Sequence, residues 1–399
     1  MQLVERQVDL PPLLDEARHA ERLAVDLEAS GMFTYRAHIC TVQLAWRGIA
    51  ATIGSPPAGA ADADTTIVVV DALALPVAGL APLLGAEGPV KIVHDVAFDA
   101  RLLAEAGVFL GNVHDTAVAA RMLGRAATGL ASLLESELAL HITKDRQQDD
   151  WRIRPLEGEM LAYLAADVAH LAQLEAALWA EVTARGIGAE VLEETRYRIE
   201  TAATAAREPR VVPPYARVKG VDRLSAGERA ALRPLAELRE REAERRDVPP
   251  HRVMPGDTLV AIARARPKTG AEIAKMRGVS TASAAARALV DELARAVNAA
   301  PGDVPETERA LFERPRRGAA EQRAQREREQ RLMAWRKSEA KRREVDEQVV
   351  LPGHCLKDAA HGAVETVEDL AAVGGIGAFR VARDGDAIVH ALRGEGDTA

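Results

Sequence analysis

The sequence predicts an α/β domain built on a mixed sheet, followed by an all-helical second half. Three observations carry this. Short apolar segments of β character, at 23–28, 39–46, 67–70 and 90–94, crowd the first hundred residues. Helical periodicity takes over after them, and strands first, then strand and helix in alternation, is the pattern of an α/β sheet. The second half also repeats itself. Residues 235–256 align without a gap on 332–353 at an offset of 97, and the same offset carries 269–279 onto 366–376. Such a period marks two copies of one small helical module.

Taken in order, residues 1–22 read as an entry strand and a helix. The segments 23–28 and 39–46 are joined by a short link and read as a hairpin. The Pro/Gly/Ala stretch 54–64 is expected to be a mobile loop. Residues 90–94 form a buried strand, and a helix from about 95 to 106 ends at Gly107. A short strand and helix occupy 112–124, and 128–140 and 156–184 are helical. The expected organisation is an α/β domain over 1–204, a Pro-rich linker over 205–221, a first helical module over 222–300, a charged connector over 301–325 and a second, diverged module over 326–399. Ser225–Glu228 and Thr269–Glu272 fit the capping box. The Arg- and Glu-rich stretch 314–345 predicts a long exposed helix.

Composition narrows the class. Hydrophobic residues make up 48% of the 399, enough for real cores, while aromatics make up only 3% and leave few rings for base stacking. Cys40 and Cys355 lie far apart and make no metal-ligand pattern, which fits a reducing cytoplasm. The charged first thirty residues show no signal peptide, and no uncharged run is long enough to span a bilayer. The net charge of −8 is uneven: residues 1–200 hold 16 Lys+Arg against 29 Asp+Glu, a net −13, and residues 201–399 hold 36 against 31, a net +5. Acidic metal ligands in front and a polyanion grip behind would produce that asymmetry. Candidates for the grip are Arg217, Lys219, Arg264, Arg266, Lys268, Lys275 and Arg277.

The stretch around Asp26 and Glu28 ends the first buried strand with two carboxylates on one face, because strand side chains alternate. Asp99 closes His94-Asp-Val-Ala-Phe-Asp99 at a strand–helix junction, where α/β sheets place their ligands. Tyr163 and Asp167 are spaced i, i+4 on one helix face among Ala and Leu. Carboxylates gathered on a partly buried face repel one another and demand a cation. Oxygen donors without His or Cys favour Mg²⁺ or Mn²⁺ over zinc. Each residue alone has a plain alternative: Asp26 as a turn cap, Asp99 as an exposed helix residue, Tyr163 as core.

Together and in this order, the Asp-Leu-Glu, the His-x3-Phe-Asp and the Tyr-x3-Asp resemble the tyrosine branch of the Asp-Glu-Asp-Asp exonucleases. His114-Asp-Thr116 and the run Asp150-Trp-Arg-Ile-Arg-Pro-Leu156 before Tyr163 narrow the resemblance to the ribonuclease D family. Residues 222–300, with the approach Arg217-Val-Lys-Gly220, are similar to the HRDC module of helicases and ribonuclease D. The second copy departs from the first where Asp-Val-Pro-Pro becomes Glu344-Val-Asp-Glu347. The resemblance implies a ribonuclease-H-like exonuclease domain with a mixed sheet, followed by two HRDC-type modules. It implies 3′→5′ hydrolysis of RNA from a free 3′ end, releasing 5′-mononucleotides, with tRNA precursors as the family's substrates. Asp26, Glu28 and Asp167 would hold the metal that activates the attacking water. Asp26, with Asp99 through water, would hold the second metal, and Tyr163 would orient the water. Asp115 and His94 are expected to support the site by hydrogen bonding. Trp151, Arg152 and Arg154 are candidates either for substrate contact or for packing. Two rivals remain at this stage: a DNA 3′→5′ exonuclease using the same four acids, and a non-catalytic RNA-binding scaffold.

Overall fold

The structure is a computed structural model and describes residues 1–47, 65–142, 145–208, 212–312 and 318–394. The 54–64 loop lies outside the described residues. Two compact units are formed. One holds Met1–Ala29, Ile39–Pro209 and Arg317–Ala399; the other holds Ser30–His38 and Arg210–Arg316.

The first unit is centred on a six-stranded sheet in the order β1–β4–β3–β2–β5–β6. Its strands are β1 (Gln2–Val4), β2 (Arg22–Ala29), β3 (Ile39–Arg47), β4 (Thr65–Asp71), β5 (Val90–Val93) and β6 (Val113–Asp115). The predicted hairpin is present, with β2 and β3 antiparallel, and β3 pairs antiparallel with β4. β1/β4, β2/β5 and β5/β6 are parallel, so the sheet is mixed. Leu23, Ala24, Val25 and Leu27 of β2 are all buried, as expected for a strand covered on both faces.

Helices α1 (Leu10–Ala17), α2 (Ala97–Glu105), α3 (Thr116–Met122), α4 (Leu130–Leu138), α5 (Gly158–Ala169), α6 (Leu171–Ala184) and α7 (Gly188–Arg207) complete the α/β part. α5 lies over β2, β3 and β4, and α7 runs along α2. α5 is fixed there by Met160, Leu164 and Val168, which recur at helical spacing and are buried against Val69, Ala24 and Ala45.

The second unit is helical, built on α8 (Ala226–Arg246), α9 (Gly256–Ala265) and α10 (Ala284–Ala299) around one apolar core. Residues expected to be linker are folded into it. Pro214–Arg217 forms a 3₁₀ turn, and Tyr215 and Val218 are buried in the core. Val304, expected in the connector, is buried there as well. Upstream, α7 continues to Arg207 without a break at residue 204. Proline pre-sets the backbone of a turn without preventing its apolar neighbours from being buried. Ser225 and Glu228 form the predicted capping box. At Thr269 only half of it forms: the threonine accepts from Glu272 N, while Glu272 reaches back one residue further, to Lys268 N.

The second helical copy belongs to the first unit. It comprises α11 (Ala319–Arg343), α12 (Gly353–His361) and α13 (Ala378–Arg393), and Thr366–Asp369 makes a complete capping box. The repeat is visible in the backbone. Asp247 and Glu344, 97 residues apart, both close their first helix in the left-handed conformation. The expected exposure of α11 holds for its early turns and for one face thereafter, while Leu332, Arg336 and Ala340 are buried. Arg328 donates to Ala360 O at the end of α12, and Arg331 donates to Ala391 O and Leu392 O at the end of α13. These arginines satisfy orphan carbonyls and sit at the negative ends of the helix dipoles.

Candidate active site

Asp26 and Glu28 stand on the central strand β2, opposite Gln43 and Thr41 of β3. The register shifts between Glu28 and Ala29. A bulge there re-aims the strand end beside the acids. α5 brings Asp167 over the same face. One carboxylate oxygen from each of Asp26, Glu28 and Asp167 lies within 4.8 Å of the others, and among the described residues no other trio of Asp, Glu, His or Cys converges in this way. Asp99 is buried in the first turn of α2 and feels the charges of Asp26 and Glu28. Tyr163 feels the charges of Asp167, Glu28 and Asp26. The structure therefore brings all five predicted residues to one place.

The acids are short of positive charge. Burial pushes the Asp26 carboxyl up to about 7. Burial, then repulsion from Asp26, Asp167 and Asp149, pushes Glu28 to about 9. Burial and Asp26 push Asp167 to about 8, and Asp99 is raised well above the usual carboxylate range by burial and then by Asp26 and Glu28. Burial and the neighbouring carboxylates also raise the Tyr163 hydroxyl, so it stays a neutral hydrogen-bonding group. An all-oxygen donor set with this deficit suits a hard divalent cation, which would let the carboxylates ionise.

The supporting residues are fixed by identifiable bonds. Asp115 is fully buried and accepts four backbone amides: Asp95 N and Val96 N on one side, Ala117 N and Val118 N on the other. It thereby ties the turn before α2, where Asp95 is left-handed with φ 62°, to the start of α3. His94 bonds Thr116 Oγ1 through Nδ1 at 2.9 Å, and burial lowers its pKa, so it is held as a structural group. Arg154 is bonded within the fold. Its guanidinium makes a bidentate pair with Asp71 at 2.6 and 2.7 Å and donates to the carbonyls of Trp151 and Cys40. Trp151 is buried, with its ring 5.6 Å from that of Tyr163. Arg152 pairs with Asp150. Sequence reasoning missed Asp149, whose charge acts on both Glu28 and Tyr163 while its carboxylate pairs with Arg146 at 3.0 Å. The doubled Asp149-Asp150 just before Trp151 was the available signal.

A mixed sheet that carries an acidic cluster on its central strand is the architecture of the ribonuclease-H-like 3′–5′ exonucleases, and the comparisons with known proteins agree. The profile of the family described as 3′-5′ exonuclease matches residues 1–183, and that of the HRDC domain matches 228–296 and 325–392. Ribonuclease D of Gluconacetobacter diazotrophicus is 28% identical over 329 residues, covering 80% of this chain and 77% of that protein. Among solved structures, a protein from Bifidobacterium adolescentis superposes with a TM-score of 0.75 at 19% identity, covering 98% of this chain and 97% of that one. Escherichia coli RNase D, described as an exoribonuclease involved in structured RNA processing, gives a TM-score of 0.66 at 19% identity, with 98% of both chains covered. The chain thus carries a 3′–5′ exonuclease domain and is similar to ribonuclease D, an exoribonuclease, over 80% of its length. Among the described residues, no helix is long and apolar enough to cross a membrane.

Proposed function

We propose that this site removes nucleotides one at a time from the free 3′ end of RNA and releases 5′-mononucleotides. The carrying observation is the convergence of Asp26, Glu28 and Asp167 within 4.8 Å, with Asp99 and Tyr163 near enough to feel their charges. Asp26, Glu28, Asp99 and Asp167 would hold two divalent cations, Mg²⁺ or Mn²⁺. Such a pair, when bound, stabilises the attacking and leaving oxygens of an in-line displacement. The tyrosine hydroxyl, kept protonated by its surroundings, orients the attacking water. Water adds to phosphorus and the P–O3′ bond breaks. The shortened chain keeps a 3′ hydroxyl, and the released nucleotide keeps its 5′ phosphate. Orientation of this kind accounts for a large part of an enzymatic rate.

tRNA precursors are the substrates we favour. In the first helical copy, Arg217 and Arg264 already pair with Glu240 and Glu228, and Arg266 donates to Gly227 O. Lys219, Lys268, Lys275 and Arg277 are therefore the better phosphate contacts. Two buried cysteines outside any disulfide suit action in the cytoplasm. The deciding experiment is product analysis on a 3′-extended tRNA with Mg²⁺ or Mn²⁺, beside RNA and DNA oligomers with the same 3′ end. Mononucleotides from RNA, dependent on metal, are expected. Preferential cleavage of DNA would reassign the substrate, and no cleavage would leave a binding scaffold.

A further inference from the structure

The two helical copies differ most where the second meets the α/β part of its own unit. Three of the four glutamates of α7, Glu190, Glu193 and Glu194, are buried. Three arginines of the second copy meet Glu190 and Glu193, while Glu194 pairs with Arg198 of α7 itself. Arg380, fully buried, bonds Glu193 Oε2 at 3.0 Å and the carbonyls of Glu190 and Val349 at 3.3 Å. Arg343 bonds Glu190 at 2.5 Å, and Arg383 bonds the same carboxylate. Glu193 also accepts from Phe379 N at 2.7 Å. Burial alone would raise the Glu190 carboxyl, yet the two arginines hold it below its usual range. Beside the charges, Val349 is buried among Leu178, Val182 and Val191, and the His354 ring stacks on Tyr197 at 4.4 Å.

The first copy keeps only one of the three arginines, Arg246 in the place of Arg343, and there it pairs with Glu242 of its own helix. Its helix α10 opens Ser283-Ala-Ala-Ala where α13 carries Arg380 and Arg383, and Arg252 stands where the second copy has Val349. The loss of Asp-Val-Pro-Pro thus falls in a corner rebuilt for docking. The docked helix bears directly on the site. α7 lies along α2, which carries Asp99. Arg198 of α7 bonds Glu194 at 2.9 Å and approaches Asp95 at 3.9 Å, in the turn that starts α2. Arg207, at the end of α7, covers the Phe109 ring at 4.1 Å, just beyond α2.

We propose that Arg380 is a positioning residue of the exonuclease site, and that the second helical copy is a fixed internal support of α7 and α2, not an RNA grip. The inference rests on Asp99 belonging to the proposed site. A buried arginine with one carboxylate and two carbonyl partners fixes its neighbours in one arrangement. α7 passes that constraint to α2 by packing along it, and so sets where Asp99 stands.

The test uses the full chain with Arg380→Gln, Arg380→Lys and Asp99→Asn. Folding is checked by tryptophan fluorescence. Single-turnover rate, Mg²⁺ dependence and RNA affinity over a range of salt are then measured. Arg380→Gln is expected to lower the rate and raise the Mg²⁺ half-saturation by about tenfold, the scale of lost support behind a metal ligand. Arg380→Lys should recover part of this, because an ammonium reaches Glu193 but cannot also serve both carbonyls. RNA affinity and its salt slope should not change. A slope shallower by about 0.7, the value for one lost phosphate contact on a single strand, would make the arginine a grip and overturn the proposal. So would a folded Arg380→Gln with wild-type rate and Mg²⁺ dependence. If Arg380→Gln does not fold, Arg383→Gln and Gly377→Ala carry the same test. Arg383 is partly exposed, and a Cβ on Gly377 would lie 2.1 Å from Glu193 Oε1. Smaller shifts in the same direction support the proposal, and wild-type Mg²⁺ dependence in both overturns it. Full activity of Asp99→Asn would instead show that the site assignment has failed.

Discussion

Replacing Glu28 with glutamine should make the metal-free protein more stable, and the gain should grow with pH. In the folded state the Glu28 carboxyl is pushed to about 9 from an ordinary 4.5. A folded pKa above the unfolded one contributes stability in full below about pH 4.5 and loses it as pH rises toward 9. At pH 7 the unfolded chain has given up this proton and the folded chain has kept it, across about 2.5 pH units. At about 1.4 kcal/mol per unit, the wild type bears a cost on the order of 3 kcal/mol at this position, against less than about 1 kcal/mol at pH 5. An amide of the same shape carries no such cost. The assay is denaturant unfolding in EDTA at pH 5 and pH 7, followed by tryptophan fluorescence. All four tryptophans, Trp46, Trp151, Trp179 and Trp335, lie in the sheet-containing unit, so the signal reports the unit that holds the site. Excess Mg²⁺ should restore the wild type, by about 2.7 kcal/mol at a hundredfold excess over its dissociation constant, and help the variant less. Equal midpoints for the two proteins in EDTA at both pH values would refute the reasoning, and so would a wild type that gains on the variant between pH 5 and pH 7.

Three further outcomes are expected. Asp26→Ala or Asp167→Ala should abolish cleavage with the fold intact, because each removes a converging ligand from a repulsive cluster; turnover near wild type in either purified variant would count against the assignment. Tyr163→Phe should lower the single-turnover rate by well over tenfold with RNA affinity nearly unchanged, as loss of a positioning contact does; an unaffected rate would return Tyr163 to the role of a core residue packed near Trp151. A circular RNA should resist cleavage while its linear form is degraded, since a single acidic cluster serves a free 3′ end; efficient cutting of the circle would indicate an endonuclease.

The site was legible because its geometry is local. Alternation along β2 puts Asp26 and Glu28 on one face, and i, i+4 spacing puts Tyr163 and Asp167 on another, wherever the two elements meet. The hairpin was legible for the same reason. What escaped depends on pairs far apart in the chain. Asp71 meets Arg154 across 83 residues, and nothing near either one shows that the guanidinium is committed to the sheet and not to substrate. Asp149 acts on Glu28 although more than a hundred residues separate them in the chain. Glu190 and Glu193 of α7 are bonded by arginines more than 150 residues later, which no local pattern shows. The linker was misjudged through its prolines, whose neighbours Tyr215 and Val218 belong to a core.

The docked second copy changes what a truncation can reveal. Cutting the chain after about residue 210 looks like a way to separate an acidic catalytic half from a basic binding half. It would also strip Arg343, Arg380 and Arg383 from Glu190 and Glu193, and uncover Leu178, Val182 and Val191 where Val349 is buried. Removing one partner of a buried ion pair costs about 3–5 kcal/mol, a large share of a domain's stability. The truncated protein is therefore expected to lose activity even on short single-stranded RNA, through instability and not through loss of a grip. Its tryptophan unfolding midpoint should fall well below that of the full chain. Charge changes confined to the first copy, such as Lys268→Gln with Lys275→Gln, should act differently. They should leave that midpoint and the rate on short RNA alone, while weakening binding of a folded tRNA and making its salt dependence shallower. If the truncated protein unfolds at the same denaturant concentration as the full chain and still trims short RNA, the arginine corner contributes nothing to the stability of the exonuclease domain.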